Sequence, residues 1–178
     1  IPQLNKTNFR EVLEEYFRIE YIAPLDARKT GIESDSIDFI LSNATMEHIP
    51  QKDLADILKE CYRILNKDGI MSNVIDYRDH WSFFDNSISV YNFLMFNEKQ
   101  WSNLNPSIMY QNRMRHCDYM KIVKKTGFEI IDEKIDNPSV KETEDLKKIK
   151  LDWKFKENYT SDELGTKSSM IVLRKPNN

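Results

Sequence analysis

The segment Ile37 to Asp76, IDFILSNATMEHIPQKDLADILKECYRILNKDGIMSNVID, constrains this chain more than any other. Ile37 to Ser42 is a short β-branched and aromatic run, suited to a strand covered on both faces. Pro50 fits the first turn of a helix. Leu54, Ile57, Leu58, Cys61 and Leu65 then recur at steps of three and four, with Asp53, Asp56, Lys59, Glu60 and Arg63 on the other faces. Asn66-Lys67-Asp68-Gly69 is expected to end that helix in a tight turn with the glycine at positive φ, before a second strand over Ile70 to Ile75. Strand, helix and strand in this order predict a right-handed parallel crossover and hence an α/β domain. The polar loop Asn43 to Pro50 would lie beyond the carboxyl end of a strand, where such sheets place ligands.

Around this unit, Thr7 to Arg18 predicts a helix with Thr7 as N-cap, and Ile19 to Pro24 a short strand ending near Leu25-Asp26-Ala27. Helices are expected near Ser87 to Phe96 and over Asp118 to Thr126, and a short element around Glu98 to Leu104. Phe128 to Ile135 and Ser169 to Lys175 read as a late, antiparallel pair of strands. Residues 78–115, rich in aromatics and amides, are expected to supply a substrate cap, with most rings in the core. Residues 138–165, rich in lysine and glutamate, are expected to be a charged insertion or mobile loop with a helical patch from Glu142 to Trp153. All 178 residues are read as one partial domain.

The formal net charge of -3 gives no electrostatic case for nucleic acid or an anionic membrane as partner. No apolar run is long enough to span a bilayer, and Cys61 and Cys117 are too few for a disulfide framework, so a cytoplasmic protein is expected. The four glycines, Gly31, Gly69, Gly127 and Gly165, are too far apart to form a phosphate or cofactor loop.

Leu25-Asp26-Ala27, then DSIDFILSNATMEHI, then a helix reaching CYRILNKDG and the strand IMSNVID resemble the C-terminal two-thirds of a class I S-adenosylmethionine-dependent methyltransferase of the type 11 kind. The resemblance implies a Rossmann-like methyltransferase fold with sheet order 3-2-1-4-5-7-6, of which strands 3 to 7 would be present. It implies S-adenosylmethionine as cofactor and a small-molecule acceptor, with a sugar or polysaccharide precursor one candidate. Asp26 and Ala27 would meet the adenine, and Asn43, Ala44 and Thr45 would line the cofactor pocket. The first strand with its glycine loop and the second strand with its ribose-binding acid should precede Thr7. Their absence from these residues, with a start at Ile1 rather than Met, leads to the expectation of an inactive fragment of a longer enzyme. Strands 3 and 4 would then have to pair with each other, or strand 4 would pair with a second copy.

Glu47-His48 and the group Asp76, Asp79 and His80 both follow strands on the expected ligand face. His48 and His80, with Asp79 orienting, are candidates for general-base work. Asp76, Asp79 and His80 have a spacing too generic to assign a metal, and the plain alternative is that these acids cap the next helix. Gln111, Asn112, Arg113 and Arg115 would contact an anionic or sugar substrate, or else form an exposed salt-bridged stretch. A second reading of the whole chain is a non-catalytic, degenerate methyltransferase module serving protein interaction or oligomerisation. A nicotinamide-dependent dehydrogenase is disfavoured, since its phosphate fingerprint is missing too.

Overall fold

A computed structural model describes residue 5 and residues 8–176. Helix α1 (Phe9–Phe17) leads into an irregular stretch, then β1 (Ile37–Asn43), α2 (Gln51–Ile64) and β2 (Leu65–Asp76). After these come α3 (Glu98–Leu104), α4 (His116–Lys125), β3 (Glu129–Asp136), α5 (Val140–Lys148), α6 (Trp153–Asn158), α7 (Ser161–Gly165) and β4 (Ser168–Arg174). The expected N-cap Thr7 lies outside the described residues.

The strands form one sheet of order β1-β2-β4-β3. β1 and β2 are parallel, joined through α2, and β4 runs antiparallel to both β2 and β3. This order, with its two antiparallel steps, coincides with the last four positions of the order expected from the sequence, 4-5-7-6. The fifth expected strand is not formed: Ile19 to Pro24 has no regular structure. The stretch folds back on α1 instead. Tyr21 meets Phe9 edge-to-face with centroids 5.4 Å apart, and the Arg10 guanidinium donates to the Ala23 carbonyl at 3.2 Å. The stretch does not pair with β1, so the expected direct pairing of these two strands does not occur among the described residues.

The turn expected at Asn66 to Gly69 is also absorbed differently, since β2 starts at Leu65 and runs through it. The extra length is taken up as a register shift between Ile37–Leu65 and Phe39–Ile70. Gly69 is needed there for close approach, not for positive φ: a Cβ would lie 2.8 Å from Leu65 Cδ1 and 2.9 Å from the Asp38 carbonyl oxygen.

Alternation along β2 buries Met71, Asn73 and Ile75 on one face, and Tyr77 just past the strand's end is buried as well. With Ile171 and Leu173 of β4, Met71, Ile75 and Tyr77 pack against Leu54 and Leu58 of α2 and Tyr119 and Val123 of α4. The opposite face carries Phe39, Leu41 and Ile70, exposed to 53, 64 and 37%. A second core joins Tyr91, Phe93, Leu94 and Trp101 to Leu146, Phe155 and Leu164. Residues 138–165 therefore do not form an open loop. Their three short helices, each begun by a side-chain cap from Ser139, Asp152 or Thr160, roof the aromatic segment. The charge pattern hid this because one large buried side chain per helix, Leu146, Phe155 or Leu164, carries most of the packing. The helix expected near Ser87 to Phe96 is reduced to a 3-10 turn over Asn92–Met95. Among the described residues no helix is long and apolar enough to cross a membrane.

Candidate functional site

At the carboxyl end of β1 the chain turns sharply. Ala44 takes φ 47, a left-handed conformation uncommon for a residue with a Cβ, and its N–H donates to the Val74 carbonyl at 2.9 Å. The Thr45 hydroxyl donates to the Asn43 carbonyl at 3.0 Å, and a 3-10 turn over Met46–His48 follows. That turn sends Glu47 inward, where it is 1% exposed, and leaves His48 outside. β2 ends alongside at Asp76, which receives two guanidinium nitrogens of Arg78. Asp79 caps a second 3-10 turn, His80–Phe83, by accepting from the Trp81 N–H at 2.9 Å.

The two turns bring His48 and His80 together with ring centroids 4.9 Å apart, and His80 stacks on Phe83 at 5.0 Å. Glu47 joins them: one donor atom from each of Glu47, His48 and His80 lies within 4.8 Å of the others. Both Glu47 carboxylate oxygens are buried with no hydrogen-bond partner, and so is His80 Nε2, which stands 3.8 Å from an Asp76 oxygen. Burial raises the Glu47 pKa and lowers that of His80, so desolvation disfavours charge on both. His48 Nδ1 is 2.7 Å from the Tyr110 carbonyl. A carbonyl only accepts, so Nδ1 carries a proton, and in the neutral imidazole Nε2 is then the lone-pair nitrogen.

Residues 110–112 hold both turns in place. Asn112 donates from its amide to the Met46 and Ile49 carbonyls at 3.0 and 2.9 Å, and its backbone N–H donates to the Glu47 carbonyl at 2.7 Å. Gln111 donates to the Arg78 carbonyl at 2.6 Å and accepts from the His80 N–H at 3.2 Å. Gln111, Asn112, Arg113 and Arg115 are thus buried rather than an exposed stretch, and the first three also line a separate cavity of about 370 Å³. Arg113 Nη1 donates to the Phe93 carbonyl at 2.9 Å and also to that of Phe96. A cavity of about 310 Å³ opens beside the imidazoles, lined by His48, His80, Ser107, Ile108, Met109 and Tyr110.

The other sequence-chosen residues lie apart from this cluster. Asp79 is fully buried, accepts from the Asn92 amide as well as the Trp81 N–H, and has its pKa raised by burial. Its place is that of a cap. Asp26 is exposed, and Arg28 grips both of its oxygens, holding its pKa down to about 2. Asp26 lines a shallow depression with Arg28, Asp56, Lys59, Glu60 and Arg63 that does not include Asn43, Ala44 or Thr45. Ala27 is exposed beside it, and Asn43 and Thr45 are exposed at the end of β1.

A sequence profile described as a methyltransferase domain matches residues 4–72, less than half of the chain. No curated protein matches. Among solved structures, a SAM-dependent methyltransferase from Archaeoglobus fulgidus is similar at 13% identity and TM-score 0.51, over 93% of this chain and 72% of its own. The Burkholderia thailandensis 1,6-didemethyltoxoflavin-N1-methyltransferase is similar at 11% identity and TM-score 0.54, over 98% and 59%. The [4+2]-cyclase SpnF is similar at 11% identity and TM-score 0.55, over 96% and 62%. The chain spans about three-fifths of the length of the last two. A cyclase among these structures underlines that this architecture does not by itself set the reaction. By sheet order, crossover and these likenesses, the chain has the α/β Rossmann-like fold of the methyltransferase type.

Proposed function

We propose that these residues form the acceptor side of an S-adenosylmethionine-dependent methyltransferase acting on an oxygen or nitrogen of a small molecule, with 78–115 as its cap. The observation that carries this reading is the placing of His48 and His80, with buried Glu47, at the carboxyl end of the β1–β2 crossover beside a cavity. Either imidazole, in its neutral form, is suited to accept a proton from an acceptor group in that cavity.

The described residues fit only one wall of a cofactor pocket. Asn43, Ala44 and Thr45 offer backbone at the end of β1, but Asp26 is occupied by Arg28, and the sequence holds no glycine loop to approach the cofactor's amino-acid end. Calorimetric titration of this polypeptide with S-adenosylhomocysteine tests that statement. Binding weaker than micromolar is expected; low-micromolar affinity would show that the pocket is complete here. In a form of the protein that shows methyl transfer, His80→Gln is expected to lower kcat by roughly 10²- to 10⁴-fold, the usual worth of a positioned general base. An unchanged kcat would remove His80 from the chemistry.

The second reading, a non-catalytic interaction module, draws on the open sheet. Among the described residues β1 pairs only with β2, and its outer face bears Phe39 and Leu41. On either reading we infer that this edge pairs with a second copy of the chain, since an apolar strand edge left open is a template for further pairing.

A further inference from the structure

We propose that Glu47, His48 and His80 form a binding site for a single divalent first-row transition-metal ion. Three side chains from two separate turns place one donor atom each within 4.8 Å of one another. A tetrahedral ion with bonds of about 2.0–2.2 Å needs its donors about 3.3 Å apart, so closure asks for a shift of at most about 1.5 Å, within the reach of side-chain rotation.

The hydrogen bonding of each group matches what a metal requires. Glu47 is 1% exposed, yet neither of its oxygens has a partner in the protein. A buried carboxylate without partners is costly, and a bound cation is one of the few arrangements that offsets this. His80 Nε2 is buried and unpartnered as well. His48 donates its Nδ1 proton to the Tyr110 carbonyl at 2.7 Å, the outer contact that metal-ligating histidines commonly make to fix the tautomer that leaves Nε2 free. Asn112 and Gln111 fix the backbones of the two turns from behind, so the cluster has an ordered support as well as donors.

Two imidazoles and one carboxylate favour zinc, iron or nickel over magnesium or calcium, which prefer all-oxygen sets. Asp76, 3.8 Å from His80 Nε2, is already paired with Arg78 and stands as an outer group. Three protein ligands leave positions open, and the cavity of about 310 Å³ lies against the two histidines. An oxygen of a small molecule in that cavity would complete the coordination, as in other three-ligand sites. Metal binding itself does not depend on whether the chain transfers methyl groups, but an ion held here would occupy the imidazole lone pairs that the base role needs, so the two roles are alternatives for the same side chains.

The test uses zinc alone. Equilibrium dialysis of the wild-type chain with Zn²⁺, read by elemental analysis, is expected to give one ion per chain, with a rise in Tm on addition of the metal. Glu47→Gln, His48→Gln and His80→Gln are each expected to weaken binding at least 10-fold. His116→Gln, which removes an imidazole paired with Glu133 at 3.0 Å outside the cluster, should bind as the wild type does. X-ray absorption at the zinc edge of the wild-type complex reads the ligands without any variant: two imidazoles and light oxygen donors support the site. Sulfur from Cys61 or Cys117 in that spectrum, no uptake, or uptake undiminished in the cluster variants would overturn it.

Discussion

Arg115 is the residue on which this interior depends most. It is fully buried and has no carboxylate on its guanidinium, which donates instead to the carbonyls of Tyr77, Leu164 and Thr166 at 2.6, 2.8 and 2.5 Å. The Tyr77 ring lies beneath it at 5.5 Å. Those contacts tie the end of β2 to the last turn of α7, and burial lowers the arginine's pKa, with nearby tyrosines and Asp118 only partly opposing it. A lysine cannot reach three divergent carbonyls with one ammonium. Arg115→Lys is therefore expected to destabilise the fold by about 2–4 kcal/mol in urea unfolding, and a loss under 1 kcal/mol would contradict this role. Arginine in a polar run, NRMRH, carries no sequence mark that separates it from an exposed one. The same blindness applied to Glu47: the position of His48 and His80 after strands was legible, but which way the Met46–His48 turn would point its glutamate was not.

At the level of elements, the helix α2 and its flanking strands were legible because three-and-four spacing and β-branched runs are local signals. What anchors α2 to the irregular stretch before β1 was not. Glu60 accepts from the Thr30 N–H and hydroxyl at 2.8 and 2.6 Å and pairs with Arg63 at 2.7 Å, while Arg63 reaches the Ile32 carbonyl at 2.7 Å. These bonds, Arg63 first, hold the Glu60 pKa down from 4.5 to about 2. A carboxylate with a lowered folded-state pKa adds stability that is complete above its unfolded value and is lost as pH falls towards the folded one. Glu60→Gln should therefore cost about 1–2 kcal/mol at pH 7, and the gap from wild type should close between about pH 4.5 and 2. Chemical denaturation across that range measures it, and a gap independent of pH would discount the charge. The stretch Ile19 to Pro24 misled for a related reason. Its apolar residues satisfy a strand pattern, but a strand also needs a ladder, and Arg10 and Phe9 of α1 engaged it first.

Over the whole molecule, the parallel crossover and the late antiparallel pair were readable from local elements, whereas the two-core arrangement was not. One face of the sheet is packed by α2 and α4 and the other shows Phe39, Leu41 and Ile70. If a second copy covers the β1 edge, light scattering should report a dimer, and Leu41→Lys should shift it to monomer without loss of helix signal in circular dichroism. A wild-type monomer would rule the pairing out. The strand order has one more effect. β4 joins β2 to β3, yet of all the described elements it is translated last. β3 thus emerges from the ribosome with no neighbour to receive it, and the sheet can be zipped shut only after synthesis has passed residue 174 and that segment has cleared the exit tunnel. Until then a nascent chain of this kind holds a parallel strand pair at one end and an orphaned strand at the other, an interval in which a chaperone has something to hold.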